Sequence, residues 1–260
     1  MCSVVILRRP GHAWPLLLAA NRDEMAGRPW RPPARHWPDR PEVTAGLDET
    51  AGGSWLGLND TGVVAAILNG EKALGPAPGK RSRGELVLEA LDHADAAAAA
   101  EALADLDPDA YRPFNLLLAD NRDALVLTNR RAGLRGGRQG GRRRLRVQPV
   151  PEGVSMVTAS DLNDTKASPR QRMYLPLFRA AEAPDPDTGD WSRWAELMGS
   201  RIWSGDAGPR GAMCVVTDTG FGTGSSSLIA LPSVERLGTR PVWLFAPGRP
   251  DLTHYAPVEV

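Results

Sequence analysis

Apolar positions in the first seventy residues come in short runs broken by turn-formers, the pattern of strands and not of helices. Residues 4–7 and 15–20 are two such runs, separated by Arg8-Arg9-Pro10-Gly11-His12. They predict two strands on a tight connection, the second ending in the polar tetrapeptide Asn21-Arg22-Asp23-Glu24. Residues 26–42 are rich in Pro, Arg and Trp and hold no period, which predicts an irregular loop. Residues 54–58 and 62–68 predict a hairpin through Asn59-Asp60, since Asn, Asp and Gly between apolar runs favour tight turns.

A Pro/Gly loop at 71–82 gives way to an Ala/Leu/Glu-rich stretch from Arg83 to Asp105 with helical spacing, which predicts one long helix. Residues 115–119 and 124–128 predict a second hairpin around Asp120-Asn121-Arg122-Asp123, and the Gly/Arg-dense stretch 130–146 reads as a solvated hairpin loop. Ser168-Pro169 opens a helix running to about Glu182, with Ser as N-cap and Pro in the first turn. Another helix is expected near 190–203, and strands near 212–217, 226–231 and 242–246. Strands at both ends with helices between them suggest a layered α+β architecture in one domain over 1–260.

Composition narrows the function classes. The 260 residues are 42% hydrophobic with a formal net charge of zero, so the basic excess of a nucleic-acid binder is absent. No run reaches the roughly 18–20 apolar residues of a membrane-spanning helix. Arg8 and Arg9 follow the first apolar run instead of preceding it, unlike a secretory leader, and cytoplasmic residence is the expectation. Cys2 and Cys214 cannot form a disulfide framework, the four histidines show no metal-ligand spacing, and no metal site is expected. Gly75-Pro-Ala-Pro-Gly79-Lys80-Arg81 is one residue short of a phosphate loop and lacks its Ser or Thr. Gly222-Thr223-Gly224 precedes a strand, whereas a dinucleotide fingerprint follows one.

Chemistry concentrates at the N-terminus. Cys2 follows Met1, and its small side chain permits aminopeptidase removal of Met1. A terminal cysteine carries a nucleophile and, in its own α-amine, a base with a pKa of about 7.7–8.0. If the first two strands pair, Asn21 and Asp23 come near it, with Asp23 able to orient the amine. Arg22 would counter an anionic substrate or pair with Glu24. The strand end at Asn69-Gly70 offers a side-chain amide and a backbone N–H for an oxyanion. The bland alternatives are a solvated turn at 21–24 and an ordinary strand end at 69–70.

Taken together, Met1-Cys2, Leu17-Leu18-Ala19-Ala20-Asn21-Arg22-Asp23-Glu24, Gly52-Gly53-Ser54-Trp55-Leu56-Gly57 and Ser82-Arg83-Gly84-Glu85 resemble the transport-and-Golgi-organisation family defined by the Asn-Arg-Asp-Glu motif. That family is in turn similar to N-terminal-nucleophile (Ntn) hydrolases of the bile-salt hydrolase and penicillin V acylase type. The resemblance implies a four-layer αββα sandwich with Cys2 as nucleophile, Asp23 near the terminal amine and Asn69 helping to bind the oxyanion. Asn21, Arg22, Glu24, Trp55, Gly70 and Asp161 are the expected substrate-side residues. Three positions depart from the relatives' pattern: Asp161 stands where they usually have Asn, Ala20 where the amidases prefer Arg, and Gly224 where the family usually has Arg.

The implied activity is hydrolysis of a carbon–nitrogen amide bond in a small acyl substrate, without a cofactor. The alternative is a non-catalytic carrier of haem or an acyl lipid on the same scaffold, with Trp30, Trp37 and Trp55 lining its pocket. A third possibility is an interaction protein lacking a small-molecule site. Cys214 reads as buried packing.

Overall fold

The computed structural model describes residues 2–130, 138–139 and 142–260. Contacts divide the chain into two compact units, one formed by residues 1–28 and 151–260 and the other by 29–150.

The first unit is built on β1 (Ser3–Arg8) and β2 (Leu16–Met25), antiparallel partners with Ser3 opposite Asn21 and Arg8 opposite Leu16. β2 includes the polar tetrapeptide, as expected, and ends one residue beyond it at Met25. Polar residues are held in strand conformation here because a third strand pairs with them, as described below. In the second unit, β3 (Trp30–Ala34) forms within the stretch 26–42 expected as irregular loop, and β4 (Val43–Asp48), for which no element is predicted, pairs with it at the sheet margin. β3 is the edge strand, where Pro32 and Pro33 cost no interior ladder bonds. β5 (Leu56–Asn59) and β6 (Val64–Asn69) make the expected hairpin.

The long helix predicted over 83–105 is two helices, α1 (Gly84–Leu91) and α2 (Ala96–Ala104). The break has a polar cause at each side. The Asn59 amide nitrogen donates to the carbonyls of Leu91 (2.9 Å) and His93 (2.8 Å), which relieves the chain of continuing α1 to satisfy them. Asp95 then caps α2 by accepting the Ala98 N–H at 2.7 Å. β7 (Phe114–Ala119) and β8 (Ala124–Thr128) follow as predicted, with Asp120 accepting the Arg122 and Asp123 amides in the turn.

The glycine- and arginine-rich stretch 130–146 lies largely outside the described residues; within it are the two-residue strands β9 (Arg138–Gln139) and β10 (Arg142–Arg143), paired with each other. β11 (Arg146–Pro149) completes an antiparallel seven-stranded sheet in the order β11-β8-β7-β6-β5-β4-β3. α1 and α2 cover one face of this sheet. Leu86, Val87, Leu91, Ala99 and Leu103 pack on Val43, Ala45, Ala65, Leu116 and Leu118, and each fully buried aliphatic side chain contributes about 1.5–3 kcal/mol relative to exposure.

The chain returns to the first unit with β12 (Gly153–Val157), α3 (Pro169–Ala180) and α4 (Ser192–Met198). Ser168 caps α3 as predicted, accepting the Gln171 N–H. β13 (Phe221–Leu231), β14 (Val242–Ala246) and the short β15 (Ala256–Pro257) complete a six-stranded sheet, β12-β1-β2-β13-β14-β15. The strand expected at 212–217 does not form a ladder. Cys214 N–H goes to Ser200 O and Val215 N–H to the Thr223 hydroxyl, leaving one isolated bridge between Val216 and Gly222. α3 and α4 cover one face through Tyr174, Leu175, Phe178, Trp194 and Met198, which pack on Val5, Leu7, Leu17, Ala19, Leu228 and Ala230.

Among the described residues no helix is long and apolar enough to cross a membrane.

Candidate active site at the ends of the first two strands

Strand alternation sorts the N-terminal motif onto two faces. Leu17 and Ala19 face α3 and α4, so Asn21 and Asp23, two and four residues beyond Ala19, point to that helical side. Leu18, Ala20 and Arg22 point to the opposite face. Extending the β1–β2 register by one residue places Cys2 across from Arg22, on this second face together with Val4 and Ile6. Both faces are buried: Ile6 and Leu18 are as inaccessible as Val5 and Leu17.

On the helical face, Asp23 is 1% exposed and fully partnered by side chains far away in sequence. One carboxylate oxygen accepts from Arg170 Nη1 at 3.0 Å and the other from the Thr223 hydroxyl at 2.7 Å. Arg170, itself 3% exposed, also donates to Ser3 Oγ (3.4 Å) and to the Arg210 carbonyl (2.8 Å). Thr223 stands opposite Asp23 in the β2–β13 ladder. That pairing, continued through Glu24 and Met25, is what extends β2 across the tetrapeptide. Asn21 uses its amide nitrogen on the carbonyls of Met198 (3.0 Å) and Met213 (2.9 Å). It ties β2 to the end of α4 and to the segment before Cys214. Glu24 pairs with Arg28 at 3.9 Å and accepts the Met25 N–H.

On the other face, Cys2 is partly exposed, and its Sγ lies 3.8 Å from the main-chain oxygen of Asp23. The thiol therefore meets the backbone of Asp23 while the carboxylate points elsewhere. Burial pushes the Cys2 thiol above its ordinary value and the Asp23 charge adds to this, whereas nearby positive charge, Arg22 included, acts in the opposite direction. Arg22 is 6% exposed, and its Nη1 is 4.0 Å from where a side chain on Gly224 would begin. Gly224 is the extra residue of a β-bulge between Thr223 and Ser225, opposite Arg22 and Asp23.

Asp161 follows β12, the strand on the other side of β1. Its carbonyl accepts from the Gln171 amide at 3.0 Å, and the same nitrogen reaches the Thr158 hydroxyl at 2.9 Å. Adjacent residues in the first turn of α3 thus hold two parts of the site, Arg170 the Asp23 carboxylate and Gln171 the loop bearing Asp161.

Asn69, Gly70 and Trp55 belong to the second unit. Asn69 ends β6 opposite Phe114. The Gly70 N–H is already donated to Pro113 O at 2.8 Å, and a Cβ on Gly70 would strike Pro113 at 2.7 Å. This glycine is required by a close backbone approach, and its N–H is engaged instead of being held open for an oxyanion. Trp55 lies across Gly46, whose absent side chain makes room for the indole, and meets Trp30 edge-to-face with centroids 5.7 Å apart. Trp37 donates to Gly52 O and packs on the helix–sheet core. Cys214, read as packing, is 1% exposed; its thiol donates to Asp251, itself held by Arg249, and burial raises it to about 11.

Arg170, Thr223 and Ser3 were not among the expected site residues. Arg170 did leave a trace: the first turn of α3 carries two arginines and no acid, against the helix dipole, which favours negative charge there. An arginine so placed calls for a specific acceptor, here Asp23.

Comparison with known proteins bears on the fold and on the family. Over 88% of this chain and 92% of the other, the fold is similar to a Caenorhabditis elegans N-acylethanolamine-hydrolyzing acid amidase ortholog, with a TM-score of 0.56 at 11% identity. It is also similar to the C2A mutant of conjugated bile acid hydrolase from Clostridium perfringens, covering 100% of this chain and 97% of the other, with a TM-score of 0.51 at 12% identity. These likenesses bear out the α+β class and the Ntn-hydrolase-like fold. In sequence, the chain is 36% identical over 114 residues to the Mus musculus Transport and Golgi organization 2 homolog and 38% identical over 114 residues to that of Bos taurus. The aligned stretch covers 42% of this chain and 40% of the length of each of these relatives. The profile of the family described as Transport and Golgi organisation 2 matches residues 1–176, more than half of the chain, and the protein belongs to that family.

Proposed function

We propose that the protein is an Ntn-type amidohydrolase that cleaves a carbon–nitrogen amide bond in a small acyl substrate, with Cys2 as nucleophile once Met1 has been removed. The observation that carries this reading is the placement of a partly exposed Cys2 thiol 3.8 Å from the main chain of Asp23, a residue locked in place by Arg170 and Thr223. The similar folds of an N-acylethanolamine-hydrolyzing acid amidase ortholog and of a conjugated bile acid hydrolase support it.

The thiol is pushed up by burial, so it is not a preformed thiolate and needs a base. The α-amine of a terminal Cys2 serves as that base, taking the thiol proton as Sγ adds to the substrate carbonyl carbon. The carbonyl π electrons move to oxygen. Collapse of the tetrahedral intermediate breaks the C–N bond, and the leaving amine takes the proton from the α-ammonium. Water then hydrolyses the thioester, releasing the acid and regenerating the thiol. Asp23 fixes the end of β2 beside that amine. Intact mass spectrometry with turnover of an N-acyl amide panel tests the reading. Loss of Met1 and abolition of turnover in Cys2→Ala are expected; retention of Met1 in active protein would refute the mechanism.

A second reading, a non-catalytic carrier of haem or an acyl lipid, draws on the half-buried Trp30–Trp55 pair, an aromatic surface suited to an apolar ligand. Titration with haem and with a fatty acyl-CoA, followed by tryptophan fluorescence, tests it. A flat response to both removes it.

A further inference from the structure

We propose that Arg22 is the anion-stabilising residue of the Cys2 site, receiving the negative charge that forms on the sulfur and on the carbonyl oxygen it attacks. The inference rests on the hydrolytic reading above and assigns the second residue of the motif a function within it.

Three observations support the assignment. First, the β1–β2 register and strand alternation put Arg22 and Cys2 side by side on one face, while Asp23 and Asn21 point to the other. Second, Arg22 is 6% exposed. A guanidinium keeps its proton under burial, and its field is less screened there than at the surface. Third, the bulge leaves Gly224 opposite the arginine without a side chain, with Arg22 Nη1 the nearest atom to the position a Cβ would take, at 4.0 Å. Strand geometry alone requires no glycine here, since Gly224 does not have a positive φ. Its lack of a side chain leaves space next to the guanidinium.

The surrounding charges give the arginine a task. Asp23 and Arg170 compensate each other on the opposite face at 3.0 Å. Asp161 lies on the loop after β12, the strand on the other side of β1, with its carbonyl held by Gln171 at 3.0 Å; a carboxylate there adds negative charge to a site where an anion develops. Arg22, on the β2 side, provides the opposing positive charge.

Competitive alkylation of Cys2 by iodoacetate and iodoacetamide, quantified on the N-terminal peptide, tests this without a known substrate. The anionic reagent senses the local charge and the neutral one reports thiol availability. Arg22→Gln is expected to lower the iodoacetate-to-iodoacetamide rate ratio about 3- to 10-fold, as loss of one nearby charge implies. Arg22→Lys should retain most of the ratio, and Asp161→Asn should raise it. Gly224→Asp places a carboxylate against Arg22 without removing it and should lower the ratio too, which provides an independent test if Arg22→Gln does not fold. An unchanged ratio in folded Arg22→Gln or Gly224→Asp, with Cys2 still alkylated by iodoacetamide, overturns the Arg22 assignment alone. A Cys2 in the unsubstituted protein that reacts with neither reagent counts against the hydrolytic reading itself.

Discussion

Replacing Arg170 by Met tests whether the Asp23–Arg170 pair is a unit. Their side chains are 0% and 4% exposed, and the contact is 3.0 Å. Arg170→Met strands a carboxylate that water cannot reach, with only the Thr223 hydroxyl of its two observed side-chain donors remaining. Breaking a buried ion pair from one side costs about 3–5 kcal/mol, because the surviving charge is left uncompensated. The arginine's bond to Arg210 O at 2.8 Å is lost as well, which places the expected cost in the upper part of that range. At roughly 2–4 °C per kcal/mol for a chain of this size, the melting temperature should fall by about 8–20 °C. Asp23→Asn, which leaves Arg170 buried without its anion, should be similarly damaging. The double variant leaves neither charge and should recover much of the loss, so the two single costs should exceed the double by about 2–3 kcal/mol. Urea denaturation followed by tryptophan fluorescence measures all three. A double variant whose cost equals the sum of the singles would show that the residues act independently, and the description of a held carboxylate would fail.

Three further outcomes follow from local geometry. Asn59→Ala removes the donor shared by the Leu91 and His93 carbonyls and the acceptor of the Val63 N–H; at about 0.5–1.5 kcal/mol per bond, urea melts should show a loss of about 2–4 kcal/mol. Gly46→Ala would put a Cβ 2.3 Å from the Trp55 ring, so the indole must move; a loss of about 1–3 kcal/mol and a shifted Trp emission spectrum are expected. With its thiol raised to about 11, Cys214 should resist iodoacetamide at pH 8 in the native protein and react once denatured, read by peptide mass spectrometry. The same shift gives a stability term fully present below the unfolded thiol value of about 8.5 and lost as pH rises through about 11. Cys214→Ala should therefore flatten the stability profile over that alkaline window.

Where chain geometry is local, the sequence was a good guide. The hairpin through Asn59-Asp60, the turn at 120–123 and the Ser168 cap all rest on bonds between residues within a few positions of each other, and all three form. The predictions that changed depended on distant partners. The helix over 83–105 splits because Asn59, more than thirty residues away, takes carbonyls at the break. The strand expected over 212–217 is diverted because the Ser200 carbonyl, fourteen residues back, accepts the Cys214 amide and the Thr223 hydroxyl, eight residues on, the Val215 amide. The second strand, expected to end in the tetrapeptide, does so with buried side chains in place of a solvated turn because residues two hundred positions later pair with it. In each case a side chain or strand from elsewhere outcompeted the local preference, which is the information a single sequence lacks.

The motifs that carried the family resemblance separate in the structure by what they do. Gly53 and Gly84 meet backbone to backbone: a Cβ on Gly53 would lie 2.5 Å from the Gly84 carbonyl carbon, and Ser54 N–H donates to Gly84 O at 3.0 Å. The Gly-Gly-Ser-Trp and Ser-Arg-Gly-Glu segments therefore share one close packing contact in the second unit, where Gly53 and Gly84 answer to space, while Gly52 has a positive φ and open surroundings. Asn-Arg-Asp-Glu is different, because strand alternation gives its four side chains separate duties. Asn21 and Asp23 are committed to the helical face, while alternation carries Arg22 and Glu24 onto the face of the thiol, Glu24 at the strand end paired with Arg28. Spacing made the aspartate look like the residue that addresses Cys2. The pleat turns the Asp23 carboxylate to Arg170 on the other face and leaves its main-chain oxygen nearest the sulfur, on the face that Arg22 and Glu24 share.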